Sequence, residues 1–120
     1  MQTILIVDDN ATERELIGKV VTTVGHLPEY ACDGEECLTK ARGVNPALIL
    51  LDVVMPKLDG FATCRKLKKD PATANIPVVL VTSKGQASDR LWGERQGAVG
   101  HICKPFTPQQ MTEAIQQFIA

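Results

Sequence analysis

Three unbroken apolar runs limit what this chain can become: "TILIV" at 3–7, "ALILL" at 47–51 and "IPVVLVT" at 76–82. Each is short, rich in Ile, Val and Leu, and lacks the polar alternation of a half-exposed strand. Strands of this kind are covered on both faces, as in a parallel sheet packed between helices. Two weaker strands fit "LPEYA" at 27–31 and "VGHIC" at 99–103.

Helical patterns fill the intervals. In "NATERELIGKVVTTVG", Leu16, Val20 and Val24 recur at i, i+4 with Ile17 and Val21 beside them, which predicts one apolar face. Asn10 followed by Glu13 resembles a capping pair, and Gly25 is a natural stop. Further helices are expected over 34–43, 60–70 and 86–97, the last weakened by Gly93 at a cost of about 1 kcal/mol relative to alanine. The final helix, 107–119, starts with Thr107 as cap, Pro108 in the first turn and Gln110 completing a capping box; Met111, Ala114, Ile115 and Phe118 share a face. Strand and helix thus alternate five times, the pattern of a doubly wound α/β fold: a parallel sheet, right-handed crossovers and helices on both sides.

Composition narrows the function. Among 120 residues, 44% are apolar and 22% charged, which suits one globular domain. A net charge of −1, from 13 basic and 14 acidic residues, gives no general attraction to nucleic acid or to an anionic membrane. The start "MQTILIVDD" is a poor signal peptide, and no run reaches the ~20 apolar residues of a membrane span. Cys32, Cys37, Cys64 and Cys103 form no Cys-x-x-Cys pair and His26 and His101 stand apart, which argues against zinc. Reduced packing thiols in a cytoplasmic protein are expected at all four cysteines.

The chemistry gathers where the strands end. In an open parallel sheet, ligands bind outside the carboxyl ends of the strands. The first strand ends at Asp8 and Asp9, the third at Asp52, the fourth at Thr82 and Ser83, and the fifth at Lys104 and Pro105. Alone, an Asp after a strand is ordinarily a turn or helix cap, a Thr there is ordinarily structural, and Lys-Pro is ordinarily a loop. Their joint occurrence at one sheet edge is what departs from chance. Converging carboxylates need a cation between them, and hard oxygen ligands suit Mg²⁺. With a lysine and a hydroxyl nearby, the group can stabilise a phosphoryl, and a carboxylate can be its nucleophile.

The strings "ILIVDDN", "LILLDVVMPKLDGF", "IPVVLVTSK" and "CKPF" resemble bacterial response-regulator receiver domains, the family of the chemotaxis regulator CheY. The resemblance covers essentially the whole chain. It implies the flavodoxin-like three-layer (βα)5 fold with strand order 2-1-3-4-5, a receiver over 1–120, and no output domain. It also implies that Asp52 accepts phosphoryl from a histidine kinase. By the same likeness, Asp9 binds Mg²⁺ directly, Asp8 acts mainly through a bound water, and the Val54 carbonyl joins Asp52 as a ligand. Thr82 and Lys104 contact the phosphoryl oxygens, and Lys104–Pro105 is cis. The segment "WGERQGA" at 92–98 resembles stand-alone receivers of pilus-driven motility, the PilH type. Trp92 equally suits a packed aromatic.

The family resemblance further implies that Thr82 moves toward the phosphoryl and that a residue three before Lys104, here His101, turns inward as a switch. His titration near neutrality would add pH sensitivity there. A target protein would then read the face made by the fourth helix, fifth strand and fifth helix, roughly 86–119. Val54, two after Asp52, cannot position an attacking water and Lys84, two after Thr82, is basic, so slow loss of the phosphoryl is expected. Such a chain signals to a target or drains phosphoryl from a shared kinase. It turns over no metabolite and is not expected to be an enzyme. Other classes fare worse. An aspartyl-phosphate phosphatase of the haloacid dehalogenase kind needs an acid where Val54 stands. A nucleotide or flavin binder needs amides and positive charge where "DDNATE" is acidic. A receiver acting only as a phosphorylation-independent interaction module would have little need of the full residue set.

Overall fold

The computed structural model describes residues 1–55, 58–83 and 87–119, with backbone alone at 87–90. In chain order the elements are β1 (Thr3–Val7), α1 (Ala11–Thr23), β2 (Leu27–Ala31), α2 (Gly34–Val44) and β3 (Leu48–Asp52). There follow α3 (Gly60–Lys69), β4 (Val78–Thr82), α4 (Ala87–Arg95), β5 (Gly100–Cys103) and α5 (Pro108–Phe118). The strands pair in parallel in the order β2-β1-β3-β4-β5. This is the expected three-layer α/β sandwich.

Alternation along the buried strands builds two cores, one on each side of the sheet. Leu5, Val7, Ile49, Leu51, Val78 and Leu80 face one way, packed with Cys37 and Ala41 of α2 and Cys64 and Leu67 of α3. Ile4, Ile6, Leu48, Leu50, Val79 and Val81 face the other, against Ile17, Val20 and Val21 of α1 and Met111 and Ile115 of α5. The helix ends follow the sequence signals. Asn10 caps α1 through Glu13 N at 3.1 Å, and Gly25, at φ 91°, turns the chain out of it. The Thr107–Gln110 capping box and the Pro in the first turn are both present in α5.

Several boundaries shift: β3 runs on to include Asp52, β5 begins at Gly100 rather than 99, and α4 ends at Arg95 rather than 97. Leu16 is 53% exposed, because the buried stripe of α1 runs through Ile17, Val20 and Val21 and leaves Leu16 on its flank. The fourth strand begins at Val78 rather than 76; Pro77 precedes it, supplying its carbonyl to Ile49 N at 3.0 Å but having no N–H to donate. Cys37 and Cys64 are buried, but Cys32 is exposed and Cys103 half-buried, so the thiols are not uniformly packing residues. Burial pushes the Cys37 thiol up to about 12 and the Cys64 thiol to about 11, which keeps both protonated and inert. Gly93, which weakens α4 by propensity, has a packing reason. A Cβ there would lie 2.6 Å from His101 Cε1 and 2.7 Å from Leu80 Cδ1.

Candidate functional site

Register decides which side chains meet. Val7, at the end of β1, lies opposite Leu51, so the next residues, Asp8 and Asp52, emerge side by side. Asp52 in turn lies opposite Val81, placing Thr82 one residue beyond it on the neighbouring strand, and Thr82 lies opposite Cys103, the residue before Lys104. The carboxylates of Asp8, Asp9 and Asp52 offer oxygens within 4.8 Å of one another, with Asp8 and Asp52 buried and Asp9 exposed.

Local bonds hold this arrangement. Asp8 Oδ1 accepts from Asn10 N at 2.9 Å, the Arg14 guanidinium donates to the Asp8 carbonyl at 2.5 Å, and Asp8 N donates to Ala31 O at 3.1 Å. The end of β1 is thereby tied to the start of α1 and to β2. On the far side, Lys104 N donates to Thr82 O at 2.9 Å, and the Lys104–Pro105 peptide is cis.

Lys104 reaches back across the edge. Its ammonium lies 3.0 Å from Asp8 Oδ2 and 3.4 Å from Asp52 Oδ1, and pairs also with Glu13. Burial acts against the ammonium, but these carboxylates outweigh it and hold Lys104 above its ordinary range. Asp52 is shifted in the opposite sense for a carboxylate, up to about 6. Burial is the main cause and the Asp8 charge adds to it, with Lys104 opposing. Among the described residues, the Lys104 ammonium and the Arg14 guanidinium face the carboxylates of Asp8, Asp9, Asp52 and Glu13, which leaves an excess of negative charge. Hard oxygen donors, close together and short of positive charge, fit a divalent cation of the Mg²⁺ kind.

The cluster opens on a cleft of about 490 Å³ whose walls include Glu13, Asp52, Val54, Ser83, Lys104 and Phe106. Val54 turns its side chain outward, 55% exposed, at the mouth. Thr82 is buried at the end of β4. His101 stands apart from the acidic cluster, half-buried on β5 opposite Leu80, with its ring against Gly93 of α4. Trp92 is 47% exposed and meets Phe61 edge-on, ring centroids 6.5 Å apart. Lys84 lies outside the described residues. Glu13, whose carboxylate pairs with Lys104, is the participant that the sequence pattern assigned only to a helix cap.

The profile of the response regulator receiver domain matches residues 4–116. The chain belongs to the response regulator receiver family. The receiver is 39% identical to protein PilH of Pseudomonas aeruginosa over 120 residues, covering 100% of this chain and 99% of that one. It is 34% identical over 119 residues to the DNA-binding dual master transcriptional regulator RpaA of Synechocystis, covering 99% of this chain and 49% of that protein. It thus spans about half the length of such transcriptional regulators. Among solved structures, the receiver superposes on the Vibrio cholerae chemotaxis protein CheY4 with a TM-score of 0.94 and 28% identity, each chain 99% covered.

Proposed function

We propose that this receiver is a phosphoacceptor switch. A carboxylate oxygen of Asp52 attacks the phosphorus of a histidine kinase's phosphohistidine. The P–O bond forms as the P–N bond breaks, and the imidazole leaves with the nitrogen's electron pair. The observation that carries this reading is the convergence of Asp8, Asp9, Asp52 and Lys104 on one sheet edge at the mouth of a cleft. Mg²⁺, held by Asp9, Asp52 and the Val54 carbonyl, with Asp8 acting through water, would neutralise charge on the phosphoryl oxygens. Lys104 donates to one of those oxygens and the Thr82 hydroxyl to another. Lys104 and the cation also favour the ionised, nucleophilic form of Asp52 over the protonated form that burial promotes.

Output follows from the same groups. Thr82 drawn toward the phosphoryl changes the space beneath α4, where the His101 ring lies, and a target protein reads the α4–β5–α5 face. The likeness of residues 92–98 to pilus-motility receivers, with the 39% identity to PilH, supports a role in pilus-dependent movement. The chain acts by protein contact and not by turnover of a metabolite.

The test is intact-mass spectrometry after incubation with acetyl phosphate and Mg²⁺. One phosphoryl addition is expected in the wild type, dependent on Mg²⁺ and absent from Asp52→Asn. Addition that persists in Asp52→Asn removes the assignment.

A further inference from the structure

We infer that Glu13 is a positioning residue: it occupies Lys104 before phosphorylation and competes for it with an incoming anion. The inference rests on the phosphoacceptor reading and adds a residue to it. A lysine ammonium has three N–H donors and no acceptor. Among the described residues Lys104 Nζ meets three carboxylates, of Asp8, Asp52 and Glu13. One of these contacts is a hydrogen bond, to Asp8, and the other two are ion pairs that crowd the same ammonium, so a phosphoryl oxygen approaching Lys104 competes with them.

The three are not equally displaceable. The Asp8 side chain is 2% exposed and its other oxygen is bound to Asn10 N. Asp52 is the acceptor itself. Glu13 comes from the first turn of α1 on a longer side chain, is 37% exposed, and stands on the wall of the cleft through which a donor enters. It is the partner that can swing into solvent. Until it does, its charge opposes the approaching anion and competes for the hydrogen bond that the anion needs. The same charge attracts a cation to the cluster.

Glu13 thus acts on cation and anion with opposite sign, which separates this role from a merely structural one. Loosening α1 would weaken both. Glu13→Gln keeps the size and the helix position and removes the charge. Mg²⁺ affinity and then beryllofluoride affinity at saturating Mg²⁺ are to be measured by calorimetry on wild type and Glu13→Gln, with Glu13→Ala in parallel and thermal melting to confirm the fold. Glu13→Gln is expected to bind beryllofluoride roughly three- to tenfold more tightly and Mg²⁺ about two- to fivefold more weakly, the size of one partly solvated charge at this range. Beryllofluoride affinity unchanged or reduced in both variants overturns the role of Glu13 while leaving the phosphoacceptor reading intact. Wild type that binds no beryllofluoride overturns both.

Discussion

Lys68 and Lys104 are the same residue put to different ends at two regions of one sheet. Lys68, from α3, donates to Ile76 O at 2.5 Å and Ala74 O at 3.1 Å, neutral carbonyls of the segment that leads into β4. Burial lowers its pKa, with Cys64 opposing, and among the described residues no carboxylate reverses the effect. Lys104, at the opposite edge, is also largely buried, yet three carboxylates raise it. Partners, not depth, set the sign. The amino edge of the sheet is closed by backbone bonds such as Ala47 N to Thr3 O at 2.8 Å and Val99 N to Val78 O at 2.9 Å. At the carboxyl edge, charges answer other charges and an imbalance remains. One lysine closes a loop; the other holds an unfinished electrostatic site.

The largest expected effect breaks the comparison directly. Lys104→Met leaves Asp8, Asp52 and Glu13 facing one another and should destabilise the fold by about 2–4 kcal/mol in Mg²⁺-free buffer at pH 7.5, as removing one partner of a buried pair does. Added Mg²⁺ should restore much of that loss. Lys68→Met should lose only about 1–2 kcal/mol, the scale of hydrogen bonds to carbonyls, and should not respond to Mg²⁺. Urea denaturation with and without the cation distinguishes them; equal Mg²⁺ responses would erase the contrast.

A somewhat smaller effect concerns Asp52. Its carboxyl is raised from 3.8 to about 6 in the folded chain, so the protonated form is the one folding favours. Its stabilising contribution is complete below pH ~4 and is lost as pH rises through ~6. At pH 7.5, without Mg²⁺, Asp52→Asn should therefore be more stable than wild type by about 1–3 kcal/mol. That advantage should hold down to about pH 6 and then shrink between pH ~6 and pH ~4. A constant difference across this range, by thermal melting, would mean that Asp52 is not electrostatically frustrated.

The smallest effect on stability is at Val54. Exposed at the cleft mouth, it offers no group to orient a water toward phosphorus. Val54→Asn should leave melting unchanged and shorten the lifetime of the Asp52 phosphoryl by at least ~2-fold, followed as loss of the phosphoryl mass with time. An equal or longer lifetime in the variant would show that hydrolysis is set elsewhere.

Much of the site was legible because its residues end apolar runs. A polar group directly after "TILIV", "LILL" or "VVLV" has nowhere to go but the rim, and parallel strands put those rims together. The same runs pointed to a parallel sheet covered on both faces, whereas the strand order came from the family resemblance, because runs alone do not say which strand neighbours which. Glu13 was not legible, since the Asn10–Glu13 spacing already had a sufficient local explanation as a helix cap, and a side chain can serve its own helix and a distant strand at once. Leu16 fitted the helical period as well as Val20 did; which flank of α1 is covered is decided by its packing against β1, β2 and α5, which sequence period alone does not encode. Gly93 looked like a defect in a helix because the ring it accommodates comes from another strand, eight residues on.

Asp8 carries one further consequence, which bears on how variants combine. Its N–H, its carbonyl and both carboxylate oxygens are each committed, to Ala31, Arg14, Asn10 and Lys104. A side-chain change there leaves the Asn10 N–H and the lysine without this partner together, so its effects will be epistatic with those at Lys104, while the Arg14 bond to the Asp8 carbonyl survives it. Asp9 is exposed beside it, and among the described residues the bonds that fix the loop bypass its carboxylate. In engineering terms, Asp9 is the modular position. On the proposed reading, a different ligand grafted there should retune cation preference while the scaffold built around Asp8 stays as it is.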